Sequence, residues 1–108
     1  IKKEELPECP VAITAQLIGN KWKLLILRNL RMRRGVLTTA KISGGISQKV
    51  LIQSLRSMEA DGIIVRTVYA EVPPRVEYSL SELGDTMRPI LDAMEKWGND
   101  YKASFIES

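Results

Sequence analysis

Apolar side chains recur at helical spacing along most of this chain and switch to strand-like alternation once, between Ile63 and Leu80. The first helical stretch starts at Pro10, which fits a first turn because its missing N–H has no helical partner there. Val11, Thr14, Leu17 and Ile18 form its stripe, and Gly19-Asn20 ends it. Trp22 to Leu30 is apolar around most of its circumference, which predicts a central buried helix with Trp22 as a core anchor. Arg31-Met32-Arg33-Arg34-Gly35 then reads as a basic connector, either a solvated loop or a phosphate clamp.

The run Gly45 to Arg56 carries the most information. Ser47 suits an N-cap. Ile46 and Leu51 occupy the two positions of a hydrophobic staple around it. Leu51, Leu55 and Met58 follow at i, i+4, i+7 as a buried stripe, with Val50 on its flank. Lys49, Gln53 and Arg56 share another face at the same spacing, and Ser47 and Gln48 sit at the N-terminal end. Glutamine can pair with adenine N6/N7, and arginine or lysine with guanine O6/N7, so this face suits the DNA major groove. The alternative is an ordinary surface helix with solvated polar residues.

Ile63 to Tyr69 is rich in β-branched residues and predicts a strand. Pro73-Pro74 marks the hairpin tip. Arg75 to Leu80 returns, with Val76, Tyr78 and Leu80 on one face and Arg75, Glu77 and Ser79 on the other. Arg75 stands beside the tip, where a wing reaches the minor groove, or it is a rim charge paired with Glu77 or Glu71. A recognition helix followed by a hairpin is the order of a winged helix-turn-helix: mainly α, with a small β-hairpin wing. That fold requires a helix ahead of the recognition helix, so a short one is expected over Val36–Ile42 despite weak propensity.

Ser81 predicts the cap of a last long helix, covering about 81–103, which Pro89 kinks or splits. Beyond the proline, Ile90, Met94, Trp97 and Tyr101 form a stripe that is long for a small domain. It either folds back on its own core or, as tryptophan and tyrosine favour, joins two subunits. Two-fold dimers read palindromic sites, which favours the interface. Residues 1–8 are charged, lack an apolar core and read as a mobile arm, leaving 9–108 as one winged-helix domain.

Charge is unevenly distributed. From Cys9 to Met58 there is no Asp or Glu, whereas nine Lys and Arg fall there; from Glu59 onward there are ten acids and five bases. A mixed-sign solvated surface does not explain the first half, but a field that attracts phosphate does. RNA, an acidic protein or a membrane surface could also be met by it; the helix-plus-hairpin context favours duplex DNA. With no histidine and one cysteine, the sequence offers no metal-ligand spacing and no catalytic pair, and it has no phosphate loop. An enzyme, a metal and a cofactor are therefore not expected. No apolar run reaches the ~20 residues of a membrane helix. The lone cysteine points to a reducing compartment, the cytoplasm.

These features resemble those of the HxlR family of bacterial winged-helix transcription regulators, relatives of MarR. The resemblance rests on Cys9-Pro10-Val11, on Ile18 to Leu27 with its Gly-Asn-Lys-Trp turn, on Gly45 to Lys49, on Leu55-Arg56 and Glu59 to Gly62, on Glu71 to Leu80 with its Val-Pro-Pro-Arg-Val-Glu-Tyr wing, and on Leu83-Gly84. It covers nearly the whole chain past the arm. It implies a homodimer on operator DNA, joined through the first and last helices. It also implies that Cys9 senses oxidants, aldehydes or quinones, with a small molecule or oxidant as effector. At a helix start the dipole favours a thiolate, and Lys21 and Lys23 add positive field; otherwise Cys9 is a small buried hydrophobe at the dimer seam. Arg34 to Thr39 departs from the family's Arg-Phe-x-x-Leu pattern, and Ile52 stands where the family often has Thr. Ile52 then either meets a thymine methyl or packs. The expected function is a sequence-specific regulator. The competing class is a winged helix used only for protein contacts, without specific DNA readout.

Overall fold

The computed structural model describes residues 3–32 and 46–106. A 3-10 turn, Lys3–Glu5, precedes helices α1 (Pro10–Ile18), α2 (Lys21–Met32) and α3 (Gln48–Ala60). Strands β1 (Ile64–Tyr69) and β2 (Arg75–Leu80) come next, then helices α4 (Glu82–Asp85) and α5 (Arg88–Ile106). The fold is mainly helical with one antiparallel hairpin, as the sequence pattern predicts. The helix expected over Val36–Ile42 falls outside the described residues.

The core gathers where α2, α3 and the base of the hairpin meet. α2 contributes Ile26, Leu27 and Leu30; α3 contributes Leu51, Leu55 and Met58; Ile63, Ile64 and Tyr78 come from the hairpin base. Ile18 of α1, Met87 between α4 and α5, and Leu91 of α5 close it. Each such side chain contributes roughly 1.5–3 kcal/mol when removed from water. Trp22 is not the expected core anchor: it is half-buried, with the Lys21 ammonium 4.7 Å from its ring centroid. It sits in the first turn of α2, and the following turns supply the buried residues. Asn20 does more than end α1, because its Oδ1 accepts from the Trp22 and Lys23 amides at 2.9 and 3.3 Å and so caps α2.

α3 hands over to β1 through a tight C-terminal motif. The Ile63 amide donates to Met58 O at 2.9 Å and the Gly62 amide to Glu59 O at 3.0 Å, with Gly62 at φ +77°. That left-handed conformation is the reason a glycine stands there. The strands pair from Ile64 opposite Leu80 to Tyr69 opposite Arg75. Opposed residues share a face. Ile64, Arg66 and Val68 therefore lie with Leu80, Tyr78 and Val76 on the face toward the core. Val65, Thr67 and Tyr69 lie with Ser79, Glu77 and Arg75 on the other.

Ser81 caps α4, its Oγ accepting from the Gly84 amide at 2.9 Å. Gly84 packs so closely that a Cβ there would overlap the Ile63 carbonyl oxygen. The long helix expected over 81–103 is split, and the break falls at Thr86-Met87 rather than at Pro89. Pro89 occupies the first turn of α5, where it removes no helical hydrogen bond. Before α1, Lys3–Glu5 forms a 3-10 turn and Leu6 and Pro7 are half-buried. One further reading changes. Arg31 is no connector residue, because α2 runs on to Met32 and Arg31 bonds to Asp92 and Glu95 of α5.

α5 stands out from the body. Every residue from Asp92 to Phe105 is exposed. The radius of gyration, 15.5 Å, exceeds the ~13 Å of a compact chain of about this length.

Candidate nucleic-acid interface

α3 presents one buried stripe and one polar face because its two ends are fixed. Ser47 Oγ accepts from the Val50 amide at 3.2 Å, and half-buried Ile46 packs against the core cluster that holds Leu51. With Leu51, Leu55 and Met58 inward, Ser47, Gln48, Lys49, Gln53 and Arg56 are all exposed. From α2, Lys23 Nζ donates to Ser57 Oγ at 3.0 Å and braces the helix on its flank. Among the described residues, neither Lys49 nor Arg56 takes part in an ion pair. The helix thus offers amide donors and acceptors beside cations not engaged by carboxylates. That arrangement can hydrogen-bond base edges and attract phosphate.

Arg75 lies at the tip end of β2, on the outer face of the wing. Its Nη1 donates to Glu77 Oε1 at 2.7 Å and its Nη2 to Glu71 Oε1 at 3.3 Å. Its guanidinium carbon sits 4.0 Å from the Tyr69 ring centroid. Both carboxylates named in the sequence as possible partners are engaged.

Between α3 and the hairpin runs an open cleft of about 430 Å³. Ile52, Val76 and Tyr78 line it together with Gln48, Arg56, Glu59, Arg66 and Pro74. Ile52 is half-buried there. Arg66 was not singled out from sequence. Its signal is a charged residue in register with Tyr78 on the inward face of the strand.

Cys9 occupies the N-cap position of α1 and is exposed, its side chain making no cap hydrogen bond. It is not buried within the chain. The Lys21 ammonium lies over Trp22 and that of Lys23 is bonded to Ser57. On α5, Ile90, Met94, Trp97 and Tyr101 are exposed at 38, 46, 67 and 52%. The stripe runs one step further than the sequence reading took it, to Phe105 at 63%, at the same i+4 spacing. Trp97 stacks on Tyr101 with centroids 5.2 Å apart, and Tyr101 meets Phe105 edge-on at 4.8 Å. An apolar cleft of about 370 Å³ continues this surface, with Val11, Thr14 and Ile18 of α1 facing Ile90 and Met94.

The profile of the HxlR-like helix-turn-helix family matches residues 17–105. The chain belongs to that family. The HTH-type transcriptional regulator YdeP of Bacillus subtilis (strain 168), described as uncharacterized, is 41% identical over 100 residues, covering 92% of this chain and 78% of YdeP. The redox regulator HypR in its reduced form matches with a TM-score of 0.82 and 38% identity, over 93% of this chain and all of that one. Its oxidized form matches with a TM-score of 0.78 and 42% identity, over 85% and 96%. A MarR-family transcriptional regulator from Porphyromonas gingivalis W83 matches at 0.77 and 40%, over 91% and 94%. This HxlR-type chain is a helix-turn-helix transcriptional regulator with a winged, MarR-like fold. Its family and its structural neighbours are regulators, not enzymes. Among the described residues no helix is long and apolar enough to cross a membrane.

Proposed function

We propose that this HxlR-type regulator binds a palindromic operator as a homodimer, with α3 in the major groove. The observation that carries the reading is the exposed face of Gln48, Lys49, Gln53 and Arg56 on a helix whose opposite stripe is locked in the core. Ser47 and Gln48 face the bases or phosphates at the helix start, and Arg75 serves the wing when phosphate competes with Glu71 and Glu77. Dimerisation through α5 and α1 is supported by an apolar stripe on a helix whose residues beyond Leu91 are all exposed as far as Phe105, continuous with the uncovered face of α1. Half-sites one helical turn apart, roughly 34–36 Å, suit such a dimer.

Cys9 is the proposed input, supported by its exposure at the start of α1 and by the family likeness to a redox regulator. Oxidation to a sulfenic acid, a mixed disulfide or an inter-subunit bridge would disturb α1 and, through it, the angle between the two α3 helices. The test of the whole reading is selection of duplexes from a random-sequence pool. Enrichment of a two-fold symmetric motif is expected. Retention of no duplex above an unrelated basic protein would sink it in favour of a protein-contact module.

A further inference from the structure

We propose that Arg66 and Arg56 together form a phosphate site for the DNA backbone in the cleft between α3 and the wing. The proposal rests on the DNA-binding reading above and adds a residue and a surface to it.

The register makes the argument. Arg66 pairs with Tyr78, so it lies on the inward face of the hairpin, whereas Arg75 lies on the outward face with Tyr69 and Glu77. The inward face meets α3. Arg66 accordingly lines one cleft with Gln48 and Arg56, which belong to the stripe of α3 that turns toward the wing. The floor is apolar: buried Tyr78 with half-buried Ile52 and Val76. A low-dielectric floor strengthens the field of charges on the rim.

The charges on that rim are available. Arg66 and Arg56 are exposed, and among the described residues neither forms an ion pair. Arg75 is held by two carboxylates and an aromatic face. Among the described residues Glu59 is the one acid lining the cleft, one helical turn beyond Arg56, so the balance among them is positive. Two guanidiniums from different elements on one open groove suit a tetrahedral anion, each donating to its own oxygen. With α3 in the major groove, the strand flanking that groove brings its phosphates to this side of the helix.

The experiment uses the full chain, a duplex enriched from the random pool and a random-sequence duplex of equal length. Affinity is titrated against salt for the native protein and for Arg66→Gln, Arg66→Lys and Arg75→Gln, each checked by circular dichroism. Loss of one phosphate contact is expected to flatten the slope of log K against log[salt] by about 0.9 for Arg66→Gln on both duplexes alike. Arg66→Lys is expected to restore the slope, and Arg75→Gln to change it less. An unchanged slope for folded Arg66→Gln overturns the site, as does a loss confined to the enriched duplex, which marks a base contact. Failure of the native protein to hold either duplex removes the DNA reading itself and is seen before any variant is compared.

Discussion

Arg31 in the last turn of α2 donates from Nη1 to Asp92 Oδ1 at 2.7 Å, across 61 residues of sequence. Its other nitrogen bonds to Glu95, and Arg88 Nη1 donates to the Arg31 carbonyl oxygen at 3.1 Å. The helix that fills the core is thereby tied to the helix that carries the exposed stripe. The hydrogen bond that the guanidinium donates to Glu95, reinforced by the charge of Glu95 and Asp92 against the cost of burial, holds the Arg31 pKa above the ordinary arginine value. A raised pKa adds stability that is complete below the unfolded value and lost only as the pH climbs through the folded one. For arginine both lie in strong alkali, so the tie is intact at every physiological pH.

The tie predicts a measurable coupling. Arg31→Ala and Asp92→Ala, alone and combined, should show a coupling energy of about 1 kcal/mol in urea titrations, the upper end for a pair with one exposed partner. Additive effects would mean that the contact contributes nothing to stability.

The polar face of α3 predicts a specificity effect. Gln53→Ala should cost about 1–3 kcal/mol of operator affinity and relax the preference at one base position, whereas Arg56→Ala, which removes a phosphate contact, should weaken binding on all sequences alike. Unchanged affinity in the double variant, measured by fluorescence anisotropy, rules out α3 as the recognition helix.

The α5 stripe predicts an oligomeric state. Sedimentation should show a dimer at micromolar concentration. Trp97→Ala with Tyr101→Ala should shift it toward monomer, since buried aromatic anchors often carry 2 kcal/mol or more, on the order of a thirtyfold change in Kd. A native protein that sediments as a monomer with and without DNA would falsify the interface.

Cys9 predicts a redox response. Mild oxidant should change operator binding by the native protein and leave Cys9→Ser unaffected. An oxidant effect that persists in Cys9→Ser, or none in either protein, takes Cys9 out of the mechanism.

Local interactions made much of this molecule legible before any coordinates. Ser47 and Ser81 cap helices by bonding to amides three residues on, and those bonds depend only on neighbours in sequence. The same holds for the inward stripe of α3 and for the hairpin closed by Pro73-Pro74, because helix and strand periods fix which side chains share a face. The exposed face of α3, with Gln48, Lys49, Gln53 and Arg56, followed from that stripe by subtraction. The stripe of α5 was legible as far as Tyr101, and extending its period by one step would have included Phe105.

Tertiary structure decided what depends on distant partners. Sequence could place Trp22 in an apolar helix but not say which turns of that helix meet α3. It marked Arg31 as one cation in a basic run, yet Asp92 and Glu95 reach it only once α5 packs across the end of α2. It offered Arg75 either a groove or a carboxylate, and the register of the hairpin brought Glu71, Glu77 and Tyr69 around it. The same register turned Arg66 inward, to the cleft that Arg56 also lines. Periodicity assigns a side chain to a face of its own element, whereas the partner across the gap is set by how the elements pack.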